Sequence, residues 1–150
     1  VLKLKEIINI YTLPITVQLN NMNIITEFNK FNQKSVIDKL SEGLSKIFEH
    51  IKVSNKTILA SSLLDKSGKP LVRIDSKEPI KAVMLKVGKD TVEIKSIVNS
   101  TGGKGLATKI VKVILNSIDK ESTIIIDKDV SGGFWDRIIK TYPKYNWVKS

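Results

Sequence analysis

Gly102, Gly103 and Gly105 fall within four positions, between a β-branched run and a run with the spacing of a helix. A chain that goes from strand through glycines into helix belongs to the mixed α/β class, and it presents its backbone where the helix begins. The strand on the near side is 91–99. The helix on the far side spans about 106–117 and buries Leu106, Ile110, Val113, Ile114 and Ile118.

The rest of the chain fits around that unit. Residues 2–19 read as one or two short strands interrupted by Pro14. Ile24, Ile25, Phe28 and Phe31 fit a short helix, and Val36, Ile37, Leu40, Leu44, Ile47, Phe48 and Ile51 a longer one, capped by Ser35 and ended near Asn55. His50 then sits at the polar end of that helix, where an imidazole suits the helix dipole. Strands are expected at 57–64, 70–75, 80–86 and 91–99, joined by turn residues as an antiparallel meander. Beyond the glycine helix, 122–127 reads as a short strand buried on both faces and 131–142 as a helix burying Phe134, Trp135, Ile138, Ile139 and Tyr142. A strand at 145–148 closes the pattern. With no repeat and no long linker, 1–150 is expected to form one domain.

Composition removes several chemistries. The chain has 150 residues, 41% of them hydrophobic, enough for one domain with a core. It has no cysteine and one histidine, which excludes disulfides, thiolate zinc sites and a cysteine nucleophile and argues against a metal site. No apolar run is long enough to span a membrane, and the charges within 1–11 argue against a signal peptide, so a cytoplasmic protein is expected. The net charge is +10, carried by 25 Lys and Arg of which only Arg73 and Arg137 are arginine. A lysine-rich solvated face accounts for such a charge; so does an anionic cofactor or a nucleic acid.

The glycines favour the anion. Glycines before a helix aim unbonded amides at a ligand, and the helix N-terminus adds roughly half a positive charge. Lys104, Lys109 and the Thr108 hydroxyl add to this, so a phosphate suits the loop; a turn without a ligand is the alternative. A Walker loop fails on glycine spacing. A Rossmann fingerprint comes closer, with Asp127 in the place of a ribose-binding acid, but only 23 residues follow Asp127, too few for the strands and helices such a fold still needs.

Residues 92–100 followed by Gly102-Gly103-Lys104-Gly105-Leu106-Ala107-Thr108 resemble the central motif of the GNAT superfamily of N-acetyltransferases, whose loop is Gln/Arg-x-x-Gly-x-Gly/Ala. Gly105 and Ala107 match the small positions; Gly102 stands where Gln or Arg is usual, a departure expected to weaken pyrophosphate contacts. Residues 122–148 are similar to the next family segment, with Phe134-Trp135 in place of the common Phe/Leu-Tyr pair. The likeness covers about 79–148, and the order of elements before it is compatible.

The resemblance implies a central, mostly antiparallel twisted sheet flanked by helices, with central strands that splay apart and a bulge in the first of them. It implies acetyl-CoA as cosubstrate, its pyrophosphate on the amides of 103–108 and its pantetheine arm between 91–99 and 122–127. Ile97, Val98, Asn99, Gly102, Gly103, Lys104, Gly105, Leu106, Ala107, Thr108 and Trp135 are the implied carrier-binding residues. It further implies acetyl transfer to an amine of a protein or small molecule. Glu93 is the first candidate for a general base, against the alternative of a strand carboxylate paired with lysine, and Asp127 and Asp129 come next. Trp135 stands where a tyrosine acid is usual, and indole cannot serve. Either Tyr142 or Tyr145 substitutes, or the thiolate leaves unaided, as a thiol of pKa about 8.5 allows. The competing reading is a basic nucleic-acid-binding or interaction module on a degenerate form of the same fold. No metal is implied.

Overall fold

A computed structural model describes residues 35–74 and 77–150. The strands and helices expected within 1–34 lie outside the described residues, and Val36–Ser150 forms one unit. Its elements run α1 (Val36–Leu44), β1 (His50–Ser54), β2 (Thr57–Ser61), β3 (Lys81–Gly88), β4 (Thr91–Asn99), α2 (Leu106–Ser117), β5 (Thr123–Ile126), α3 (Phe134–Thr141) and β6 (Asn146–Lys149).

The six strands make one mixed sheet in sequence order. β1 to β4 form an antiparallel meander, in which β2, β3 and β4 answer to the strands expected at 57–64, 80–86 and 91–99 while β1 was not expected. β5 and β6 then add in parallel, each reached through a helix. Alternate strand residues turn to the helices: Ile58 and Ala60, Val83, Leu85 and Val87, Val92 and Ile94, Ile124 and Ile126 share one core with Leu40 and Leu44 of α1, Ile110 and Ile114 of α2, and Trp135 and Ile138 of α3. α1 lies close on α2 because Gly43 has no side chain; a Cβ there would stand 2.6 Å from a Val113 methyl.

Five expectations need correction. The helix expected to reach Ile51 ends at Leu44, where the amides of Ile47 and Phe48 both bond to the Leu44 carbonyl and tighten the last turn. Ile47, Phe48 and Ile51 mimic helical spacing because the turn and the strand after it bury the same side. His50 consequently begins β1, its side chain 35% exposed, and is no helix terminus. Asn55, expected past a helix end, opens a two-residue hairpin with Lys56, both at positive φ (52° and 65°).

The strand expected at 70–75 is reduced to a single bridge between Leu64 and Pro70. The Asp65 carboxylate accepts from the backbone amides of Ser67 and Lys69 (2.9 and 3.0 Å), and this turn chemistry outcompetes strand pairing. Finally, β5 is not buried on both faces: Ile124 and Ile126 are buried, while Thr123 and Ile125 are half-exposed. Among the described residues no helix is long and apolar enough to cross a membrane.

Candidate functional site

β4 and β5 pair only over Thr91 to Ile94, opposite Thr123 to Ile126. β5 is thus paired over its whole length and ends there, while β4 runs on to Asn99 without a strand beside it on that side. On its other side β4 carries a bulge: Ile94 faces Leu85 and Ser96 faces Met84, leaving Lys95 as the extra residue. The bulge restores inward register, so Ile94 and Ile97, three apart, both pack toward the helix-covered core.

Beside this continuation of β4, past the end of β5, lies a cleft of about 440 Å³, lined by Ile94 to Ile97, Ala107, Ile126, Asp127, Phe134 and Trp135 among others. The cleft continues into a groove of about 630 Å³ through the shared residues Ile97, Ala107, Ser131 and Phe134. Asn99, the backbone from Lys104 to Thr108 and Arg137 complete that groove. This is the carboxyl end of the parallel strands, where open α/β sheets bind ligands.

Local sequence shapes both walls. Asn99 folds the glycine loop back on itself: its side-chain amide donates to the Gly103 carbonyl (2.8 Å), and its side-chain oxygen accepts from the Thr101 amide and hydroxyl. Gly105 then takes φ 93° and starts α2 without a side-chain cap. The first helical bond is donated by Lys109 to Gly105, so the Leu106, Ala107 and Thr108 amides have no acceptor within the helix. A Cβ at Gly105 would touch nothing within 4 Å, and Gly105 to Thr108 line the groove. α3 also follows a glycine at positive φ, Gly133 (110°), but there the Ser131 hydroxyl accepts from the Trp135 amide (3.4 Å). Two helix N-termini, with Lys104 and Arg137, therefore border one groove, which is electropositive.

Two of the charged side chains lining the cleft, Lys95 and Asp127, are tied together. Lys95 donates to Asp127 (3.0 Å) and lies 3.4 Å from Glu93. The hydrogen bond from Lys95 holds the Asp127 carboxyl below its ordinary value of 3.8, and the same bond, with Glu93 beside it, raises Lys95 above 10.5. Asp129 accepts from the hydroxyl and amide of Ser131, which lowers its pKa, and Lys149 bridges Asp129 and Asp136 (3.2 and 2.7 Å). Ser96 differs: its hydroxyl is buried in the cleft wall with no hydrogen-bond partner among the described residues.

No family model, no curated protein and no solved structure matches the chain.

Of the residues expected to bind a carrier, Ile97, Asn99, Lys104, Gly105, Leu106, Ala107 and Thr108 line the groove, and Trp135 lines the cleft. Gly103 lies on the far side of the loop, in a separate hollow, and neither Val98 nor Gly102 is among the lining residues. Glu93 is beside the cleft, in the arrangement of a strand carboxylate paired with lysine. Tyr142 and Tyr145 pack edge to face, 6.5 Å between ring centres, against the core and outside the cleft lining. Arg137 and Ser96 were not expected. Arg137 had a sequence signal in the Gly132-Gly133 pair one turn before it, which repeats the glycine-then-helix pattern of the first loop. Nothing in the sequence marks Ser96, because its burial follows from the bulge.

Proposed function

We propose that the chain is an acyl-CoA-dependent N-acyltransferase of the GNAT type, moving acetyl from acetyl-CoA to an amine. The observation that carries this reading is the groove itself. The start of α2, uncapped by a side chain, lines the groove with Lys104 and Arg137, and the groove runs on into an apolar cleft beyond the end of β5. A diphosphate fits the first part and a flexible amide-bearing arm the second. The unpartnered Ser96 hydroxyl supports it, since a buried polar atom costs about 1–3 kcal/mol until something bonds to it, and an amide of the arm would.

In this reading the Leu106, Ala107 and Thr108 amides hold the diphosphate, Arg137 adds a fork to it, and Phe134 and Trp135 wall the arm. The acceptor amine attacks the thioester carbonyl directly. An amine of pKa about 10.4 is neutral in only about one molecule in 2,500 at pH 7, so a proton must leave it. Asp127 is a weak base because Lys95 lowers its pKa, and Glu93 is paired with the same lysine. Water carries the proton out in this account, and the thiolate departs without a tyrosine acid. Acetyl-CoA should raise the melting temperature by several degrees at millimolar concentration, and amine-dependent release of free thiol should follow. No shift and no thiol release with a broad panel of amines would contradict the proposal.

A further inference from the structure

On the far side of the glycine loop from the cleft lies a second hollow, of about 390 Å³. Lys46 from the turn after α1, Lys81 from the start of β3, Lys104 from the loop and Lys109 from α2 surround it, with Asn99 and Ile47. No carboxylate of the described residues lines it. Four cations brought by four separate segments repel one another and raise the local potential, a cost that an entering anion relieves. The hollow does not share a residue with the apolar cleft, and it meets the groove only at Asn99, Lys104 and Leu106. It is therefore a place for charge alone, separable from the path of an acyl arm.

We infer that this hollow binds a multiply charged phosphate group through Lys46, Lys81, Lys104 and Lys109. Lysine ammonium groups engage such an anion as mobile point charges, with no planar fork to select a carboxylate. The phosphate comes either from a separate phosphate-bearing molecule or from a terminal phosphomonoester of the ligand whose diphosphate lies in the groove. The site itself does not depend on acyl transfer.

The test uses K46Q/K81Q, which leaves the groove lining intact, and K120Q/K144Q as a control that removes the same charge elsewhere. Calorimetric titrations with inorganic pyrophosphate, CoA and dephospho-CoA, at low and physiological salt, give the readout. For a separate phosphate, pyrophosphate binds the parent chain and K120Q/K144Q alike, about tenfold more weakly to K46Q/K81Q, and Gly105→Ala leaves it within about twofold. For a phosphomonoester of the same ligand, the parent prefers CoA over dephospho-CoA and K46Q/K81Q loses that preference. Equal affinities of all three probes for parent and K46Q/K81Q overturn the inference, as does an equal loss in K120Q/K144Q. Pyrophosphate binding that needs Lys46 and Lys81, in a chain that ignores CoA, would uphold this site and refute the acyltransferase reading.

Discussion

Gly105 holds a backbone angle, φ 93°, that an L side chain adopts only at a cost of about 1–2 kcal/mol. Gly105→Ala should lose about that much in urea denaturation, whereas Gly103→Ala, at a position without positive φ, should stay within about 0.5 kcal/mol. A second prediction concerns the Lys95–Asp127 pair. Asp127 titrates below 3.8 in the fold, so its pairing contributes stability above that pH and loses it as pH falls through the folded value. Lys95 titrates above 10.5, so its contribution is full below that pH and is lost only as pH rises further. The destabilisation by Asp127→Asn should therefore be flat between about pH 5 and 9 and shrink in stronger acid, as read by denaturant midpoints. The glycines and Ala107 were legible in the sequence because their smallness has a local cause. The engagement of Asp127 with Lys95 was not, since it depends on which strands become neighbours.

Elements with a strong local signal came through with their bounds nearly intact. β4 and α2 begin and end where strand alternation, glycines and helical period place them. α1 did not, because a tight turn followed by a strand can bury Ile47, Phe48 and Ile51 at the spacing a helix would use. Two substitutions probe the elements directly. Gly43→Ala forces a methyl to 2.6 Å from Val113 and should cost about 1–3 kcal/mol by prying α1 from α2, measured by chemical denaturation. Lys56 occupies a turn position at φ 65° that glycine prefers, so Lys56→Gly should raise stability by about 0.5–1 kcal/mol.

At the scale of the molecule, three antiparallel pairings followed by two parallel ones bring the carboxyl ends of β4 and β5 beside the starts of α2 and α3. Of the meander, the β3–β4 hairpin could be read from its Gly88-Lys89-Asp90 turn, whereas the β1–β2 turn passed for a helix end. That β4 outlasts β5 was not legible, because the length of a neighbouring strand is not written in the strand that outlasts it. A chain of net charge +10 with an electropositive groove should also bind its ligand more weakly as salt rises. The central claim is that the amides opening α2 grip a diphosphate. Amide chemical shifts followed by ¹⁵N NMR during an acetyl-CoA titration test it most directly. Gly105, Leu106, Ala107 and Thr108 should move together and saturate, with Ser96 and Trp135 moving alongside. Saturable shifts confined to other parts of the chain, or none at millimolar ligand, would contradict it.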